Sequence, residues 1–265
     1  MTVPQLRVPA PRTVRITRYV TPLREGGSLP AIVEADDDGL YVLKFRGAGQ
    51  GARALVAELV SGENARLLGL PVPEIVFADL HPDLARTEPD PEIHALILDS
   101  AGLNLALDYL PGSVTFDPLV QHPDADLASR IVWFDAFVAN VDRTARNTNM
   151  LMWHRRLWLI DHGATLYFHH TPGWDSDPVR PRDRFPLINR HVLLARASAL
   201  AAVDEAMARA VDARAIDEIV SWIPDAWLST EPGDDPARLR AGYARYLLER
   251  AAAPRAFVEE AIGAR

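Results

Sequence analysis

The chain has 265 residues, of which 48% are hydrophobic and 24% charged, so it can bury the core of one or two domains. The absence of cysteine excludes disulfides and thiolate metal sites, and the net charge of −8 argues against nucleic acid as a partner. Residues 1–14 lack the apolar segment of a signal peptide, and no run of about eighteen apolar residues predicts a membrane span, which favours a cytoplasmic protein.

The first predicted element is a β-hairpin. Residues 31–34 and 40–45 are the two predicted strands, and three aspartates with Gly39, at residues 36–39, form the predicted turn between them. Lys44 lies near the end of the return strand, where its ammonium group can face a ligand.

Gly26, Gly27 and Ser28 stand at the mouth of this hairpin. Backbone N–H groups at the two glycines can approach phosphate oxygens closely, and Lys44 would add a positive charge for the α and β phosphates. An ordinary surface turn before a strand is the competing interpretation of the glycines.

Residues 52–70 carry apolar side chains at helical spacing, and Gly69 with the prolines that follow it ends the predicted helix. Glu58 lies in the middle of this helix and is our candidate to pair with Lys44 and fix its ammonium group. Glu63 on the same helix is a competing candidate. A solvated surface acid is the alternative interpretation of either glutamate.

After an apolar segment at residues 74–77, residues 105–112 read as a strand that leaves the first part of the fold. Its end, Asp108, Tyr109 and Leu110, would offer free backbone groups to an adenine ring stacked on apolar walls. A plain transition from strand to loop fits the same residues.

The most informative block follows a predicted core helix at residues 126–141. Asp142 and Asn147 are five positions apart, and residues 149–153 and 157–160 form a predicted hairpin with Asp161 at its end.

In kinase-type phosphoryl transfer, an Asp in the place of Asp142 orients the acceptor hydroxyl, while Asn147 and Asp161 stand where metal ligands stand. Such oxygen ligands suit Mg²⁺, which completes its shell with water and phosphate oxygens. We expect Gly163 to allow a backbone bend after Asp161. An Asp and an Asn at this spacing also occur by chance in turns.

The remaining chain reads as mostly helical, at residues 187–210, 213–222 and 236–261, with Pro254 splitting the last helix. Residues 169–184 lack periodicity and lie where a kinase would carry an activation or acceptor-binding segment. Arg180, Arg182 and Arg184 in that segment could meet an anion, although a solvated loop is the simpler interpretation.

Taken in order, these motifs resemble the HipA-like kinase family, and more distantly the aminoglycoside, choline and phosphatidylinositol kinases. The resemblance covers roughly residues 20–170 and is most specific at Asp142, Asn147 and Asp161 in company with Lys44. It implies an α+β, two-lobed protein-kinase-like fold, with a β-rich lobe at residues 1–110 and a mostly helical lobe at residues 111–265.

The resemblance further implies an ATP- and Mg²⁺-dependent phosphotransferase, with Asp142 facing the acceptor hydroxyl and Asn147 with Asp161 holding the metal. The acceptor stays open between a protein Ser or Thr, a lipid head group and a small alcohol or amine. A pseudokinase that binds nucleotide without turnover is the alternative.

Three departures from the kinase pattern stand out. Asn140 and His162 occupy positions where many kinases carry His and Phe, and the glycine loop is shorter than the full pattern. The early position of this loop predicts a kinase core without the extra amino-terminal region of the family's toxins.

Overall fold

The computed structural model describes residues 9–23, 29–229 and 231–265. Within them, a strand-rich first part precedes a mostly helical second part. The strands are Thr13–Pro22 (β1), Ala31–Ala35 (β2), Leu40–Lys44 (β3), Ile75–Leu80 (β4), Gly102–Asp108 (β5), Val114–Thr115 (β6), Met150–Trp153 (β7) and Arg156–Leu159 (β8). The α-helices are Ala52–Leu67 (α1), Pro91–Asp99 (α2), Ala125–Phe137 (α3), Leu200–Ala210 (α4), Ala213–Ser221 (α5), Asp225–Leu228 (α6), Pro236–Ala251 (α7) and Ala256–Ala264 (α8).

The first five strands close into a barrel in the order β1-β2-β3-β5-β4. Every neighbouring pair is antiparallel except β1 and β4, which run parallel. The predicted hairpin supplies β2 and β3, with Ala31 opposite Leu43. Alternate side chains of both strands, such as Val33 and Leu43, are buried inside the barrel because successive residues of a strand point to opposite faces.

The first strand, β1, is absent from the sequence predictions. Only Val14 and Ile16 of its ten residues are buried, and the other eight are exposed or half-buried. An apolar pattern this short is too weak to separate a strand from a loop, so the pairing with β2 and β4 is visible only in the folded chain.

Helix α1 differs from an ordinary surface helix because most of its residues are buried. It packs into the larger of two hydrophobic cores, which is built mainly from the helical second part, whereas the barrel encloses a smaller core of its own. The helix therefore joins the two lobes, and the lobe boundary at residues 110 and 111 stays a prediction.

A second, smaller sheet follows in the order β6-β7-β8. Its β7–β8 hairpin turns at His154 and Arg155, both of which have left-handed φ angles, 48° and 62°. Two successive residues in this conformation match the twist of antiparallel strands, so the turn is tight. Asp161 follows β8 and enters the site described below.

The predicted helix at residues 187–210 is wrong in its first half. Residues Pro186–Arg190 and Leu194–Arg196 form short 3₁₀ turns, and α4 begins only at Leu200. The His191 side chain explains the interruption, because its Nδ1 accepts a hydrogen bond from the Leu193 backbone and its Nε2 contacts Asp135. Local side-chain hydrogen bonds of this kind compete with a helix.

The last predicted helix is split near Pro254, as expected, into α7 and α8. Residues 169–184, predicted to lack regular periodicity, contain only brief 3₁₀ turns. No helix in the described ranges is long and apolar enough to cross a membrane.

The barrel core should depend on the inward face of β3. Replacing the fully buried Leu43 by alanine leaves a cavity, and we expect it to lower the free energy of unfolding by about 2–5 kcal/mol. Leu40→Ala in the same strand, where the side chain is 37% exposed, should cost less than about 1 kcal/mol. Urea unfolding of both variants measures the difference, and equal losses would contradict the observed register.

Candidate active site

A cavity of about 960 Å³ lies between the barrel strands and residues 145–161. Most of the predicted site residues line its wall: Lys44, Asp108, Tyr109, Leu110, Asn147 and Asp161. Glu58 and Asp142 do not line the wall, but each contacts a side chain that does. Gly26, Gly27 and Ser28 lie outside the described residues.

Lys44 is the centre of the charged contacts in this cavity. Its Nζ donates a hydrogen bond to Oδ1 of Asp161 at 2.7 Å and lies 4.0 Å from Oε2 of Glu58. These three residues come from β3, from α1 and from the end of the β7–β8 hairpin. The structure therefore brings together the predicted strand lysine, helix glutamate and hairpin aspartate.

Burial and charge act in opposite directions on these groups. Burial alone would lower the pKa of Lys44, but the charges of Glu58 and Asp161 raise it above its usual value. Burial alone would raise the pKa of Glu58, but the charge of Lys44 and the contact with His162 keep it low. Both groups are therefore ionised at neutral pH, and the ammonium group is fixed in the cavity wall.

Glu63, the competing candidate, does not meet Lys44. Its Oε2 lies 3.6 Å from Nε of Arg66 and has no hydrogen-bond partner in the described part of the chain. Burial raises the pKa of Glu63 to about 7, a shift that Arg66 opposes and Glu74 supports. The helix thus buries two glutamates in different environments, and only Glu58 faces the cavity cation.

His162 connects Asp161 to helix α1. Its side chain is fully buried, its Nδ1 lies 3.3 Å from Oε1 of Glu58, and its ring meets the edge of Phe134. Thr165 adds a second link, because its hydroxyl lies 2.6 Å from that of Ser61. The histidine is a packed, hydrogen-bonded residue, and it holds the glutamate that faces Lys44.

The backbone bend beside the site lies two residues earlier than predicted. Asp161 itself has a left-handed φ of 56°, whereas Gly163 has no such φ. Gly163 lies against α1, and a Cβ there would meet Ala54 and Glu58 at 3.6 to 3.8 Å, which is an ordinary van der Waals distance, so this contact does not require glycine. The expectation of a glycine-dependent bend at Gly163 is wrong, and the strained residue is the aspartate.

Hydrogen bonds from neighbouring side chains fix the conformation of the loop that carries Asp142. Its Oδ2 accepts hydrogen bonds from Nδ2 of Asn147 at 2.7 Å and of Asn149 at 3.1 Å. Its backbone N–H donates to Oδ1 of Asn140 at 3.0 Å. Both amides bind through nitrogen, so the side-chain oxygen of Asn147 stays available to another ligand.

A buried ionic network lies beneath this loop. Asp135 on α3 accepts hydrogen bonds from Nε of Arg143 at 2.6 Å and Nδ2 of Asn140 at 2.8 Å, and its Oδ2 lies 2.8 Å from Nε2 of His191. Arg143 also donates to the carbonyl of Asn149. Burial alone would raise the pKa of Asp135, but the charge of Arg143 and these hydrogen bonds keep it low.

The Asp135 network is absent from the sequence predictions. A polar residue inside a helical apolar pattern reads as a break in periodicity, and nothing in the spacing links it to His191 fifty-six residues later. The only signal is Arg143, directly after Asp142. An arginine that is buried in a fold usually has an acidic partner, and the spacing does not show which residue that partner is.

The strand end at Asp108 offers fewer backbone groups than predicted. The N–H of Asp108 donates to the carbonyl of Glu74, and the N–H of Tyr109 donates to the carbonyl of Leu40. Among the described residues, the carbonyl of Tyr109 and the N–H of Leu110 have no hydrogen-bond partner. These two groups remain free beside the cavity.

Arg146 is a further cavity residue that the sequence predictions missed. It is exposed, lines the wall next to Asn147, and forms no ion pair with another described residue. With Lys44 it is one of two cationic side chains in the described wall. Its guanidinium is therefore free to meet an anion in the cleft.

The donor set fits a hard cation held by few protein ligands. Asn147 and Asp161 contribute one amide and one carboxylate to the same cavity. The described residues contain no cluster of three or more His, Cys, Asp or Glu side chains suited to a metal. Mg²⁺ bound with phosphate oxygens needs only one or two protein carboxylates and keeps several waters, so this sparse set fits it.

Loss of the Asp135 carboxylate should destabilise the fold strongly. Asp135→Asn would leave Arg143 buried without an anion, and we expect a loss of about 3–5 kcal/mol in the free energy of unfolding. Asp126→Asn, an exposed change on the same helix, is the matched control. A urea-unfolding difference below 1 kcal/mol between the two variants, on the order of a surface substitution, would refute the network's role.

Glu63 should make stability depend on pH in an unusual direction. The folded state keeps its proton up to about pH 7, while the unfolded state releases it near 4.5, so stability falls as pH rises through this window. Relative to Glu63→Gln, the native protein should lose up to about 3 kcal/mol between these values. Urea unfolding at several pH values tests this, with exposed Glu92→Gln as control; parallel curves for the native protein and Glu63→Gln would contradict it.

A family model described as HipA-like kinase matches residues 16–260. Among solved structures, the Helicobacter pylori proinflammatory kinase CtkA matches with a TM-score of 0.54 and 13% identity, over 96% of this chain and 98% of that chain. The Golgi casein kinase with Mn and ADP bound matches with a TM-score of 0.50 and 13% identity, over 96% of this chain and 74% of that chain. No curated protein sequence matches significantly.

At such identities the structural matches establish a shared fold alone, and the family match identifies the chain. Both agree with the α+β architecture of a barrel followed by a helical region. The chain belongs to the HipA-like kinase family: it is a kinase with the two-lobed fold.

Proposed function

We propose that this kinase transfers the γ-phosphoryl group of ATP to a hydroxyl group, with Mg²⁺ as the metal. The convergence of Lys44, Glu58 and Asp161 at one cavity carries the proposal, because three distant segments supply a fixed cation and a metal-binding carboxylate there. The Golgi casein kinase structure, which holds Mn and ADP, supports a nucleotide and a divalent metal at such a site.

Lys44 and Asp161 have separate roles in the proposed complex. The ammonium group of Lys44 contacts the α and β phosphates, while Glu58 and His162 keep it directed into the cavity. Asp161 and the oxygen of Asn147 would hold Mg²⁺, which would supply positive charge against the phosphate oxygens. Backbone N–H groups at Gly26, Gly27 and Ser28 would contact phosphate oxygens.

The adenine ring would bind where Asp108, Tyr109 and Leu110 leave the barrel. The free carbonyl of Tyr109 can accept from the adenine amino group, or the free N–H of Leu110 can donate to a ring nitrogen. Only one of the two can face the ring, because both belong to one trans peptide group and point in opposite directions. Apolar cavity residues on both sides, among them Val42 and Met150, provide stacking surfaces.

Asp142 would orient the acceptor hydroxyl and take its proton late in the transfer. The acceptor oxygen forms a bond to the γ-phosphorus as the bond to the β-γ bridging oxygen breaks, and ADP leaves. The amides of Asn147 and Asn149 hold the carboxylate of Asp142 in place. A protein Ser or Thr is our preferred acceptor, with a small alcohol or a lipid head group as the alternative.

Charge removal at three positions tests this function. Lys44→Met, Asp142→Asn and Asp161→Asn should each lower the rate of phosphoryl transfer by about 100-fold or more, because each removes a proposed reacting or phosphate-orienting group. The measurement is transfer from radiolabelled ATP to components of a cell extract and to the kinase itself, together with ADP release.

Helix α1 supplies a matched pair of controls. Glu58→Gln should slow the reaction because Lys44 loses a buried partner, whereas Glu63→Gln should leave it near the native rate. Stabilisation of the native protein by ATP and Mg²⁺ without any product would favour the nucleotide-binding module without turnover. Unchanged transfer in Asp142→Asn and Asp161→Asn would refute the proposed site.

A further inference from the structure

A second cavity, of about 250 Å³, lies in the helical lobe. It shares no lining residue with the cavity at Lys44 that is proposed to bind ATP, which we call the nucleotide cavity. Residues 180–186 form one side, α7 forms another, and Ala139, just before the Asp142 loop, lies in its wall. We call it the Arg250 pocket after the arginine of α7 that lines it. Three arginines and one aspartate are its charged lining residues in the described chain.

Arg250 is a buried cation without a buried anion. It is 2% exposed, and its guanidinium donates to the carbonyls of Ala136, Pro181 and Asp183. It also lies 4.7 Å from the ring centre of Phe257. No carboxylate pairs with it in the described residues, although buried arginines are usually paired.

Arg180 and Arg184 complete the positive side of the pocket. Arg180 lies 3.5 Å from Asp177 and 3.6 Å from Asp183, and Arg184 lies 3.6 to 3.7 Å from two glutamates of α8. These contacts are too long to be good hydrogen bonds, and Nε of Arg180 is buried without a partner in the described chain. The donors of both guanidinium groups are therefore available to a ligand.

The backbone around the pocket is strained. Ala139 and Phe185, both in its wall, have left-handed φ angles of 52° and 65°. Residues other than glycine rarely adopt this conformation, and such strain concentrates at binding and switch sites. The two strained residues and the unpaired charge of Arg250 therefore lie in the wall of the same pocket.

The residues that line the pocket restrict the chemical class of ligand that it can bind. A tetrahedral oxyanion offers several acceptor oxygens to the paired N–H groups of guanidinium ions. Tyr167 and Tyr246 add aromatic surface, and burial raises the pKa of Tyr246 to about 12, so its hydroxyl stays protonated. The volume admits a phosphate group with a small organic substituent but is smaller than a typical site for a drug-sized ligand.

We propose that the Arg250 pocket binds a small anion of the phosphate type, either free phosphate or a phosphate group on a small organic molecule. The site is separate from the proposed nucleotide site and does not depend on it. The anion would satisfy the free donors of Arg180 and Arg184 and neutralise the buried charge of Arg250.

Binding of inorganic phosphate and of O-phosphoserine to the full chain tests the proposal. Calorimetry at constant ionic strength should detect both ligands, with serine inert. Arg180→Gln and Arg184→Gln should each weaken binding by about tenfold or more, as expected for a lost charge-assisted hydrogen bond. Tighter binding of O-phosphoserine than of phosphate would assign the pocket to organic phosphates, and equal or weaker binding would assign it to the free anion.

Two controls separate the pocket from general charge effects and from the cleft. Arg182→Gln removes an exposed arginine of the same segment that does not line the pocket, and Arg146→Gln removes the free arginine of the nucleotide cavity. Both should bind phosphate like the native protein, and circular dichroism checks that every variant is folded. Absence of binding by the native protein, unchanged binding in Arg180→Gln and Arg184→Gln, or loss of binding in Arg146→Gln or Arg182→Gln would overturn the proposal.

Discussion

The burial of one ammonium group between two carboxylates organises this protein. Lys44 is 12% exposed, and an ion so placed is tolerated only when opposite charges lie close to it. Glu58 and Asp161 meet this need from helix α1 and from the end of the β7–β8 hairpin. Each lobe therefore places a negative charge beside the same lysine. Lys44 lies in the wall of the cavity between the lobes.

Two further networks hold the site residues in position. His162 and Thr165 fasten the segment after Asp161 to α1, so the helix packs with the helical lobe while it faces the barrel lysine. Asp135 holds the loop that carries Asp142 through Arg143 and an asparagine. Asp142 and Asp161 are half-buried and Asn147 is exposed, whereas Glu58 and Asp135, which position other site residues, are buried and ion-paired.

The sequence predicts the parts of this site that lie in strong local patterns. The β2–β3 and β7–β8 hairpins and α1 follow from alternation, helical spacing and turn residues, and the side chains of Lys44, Glu58 and Asp161 converge as the motif order suggests. The polar strand β1 and the Asp135–His191 contact were not predictable, because each depends on partners distant in the chain. The 3₁₀ turns before α4 accompany a local hydrogen bond from Leu193 to the His191 side chain, which helical spacing of apolar residues does not show. The roles of the site residues stay predictions, and the glycine loop lies outside the described residues.

The most direct test of the account is a crystal structure of the protein with Mg²⁺ and a non-hydrolysable ATP analogue. We predict that the metal contacts Asp161 and Asn147, that Lys44 contacts phosphate oxygens while Glu58 stays beside it, and that the adenine ring lies against Tyr109 and Leu110. A nucleotide bound elsewhere, or one bound in the cavity with neither Lys44 nor Asp161 near its phosphates or metal, would contradict the central claim.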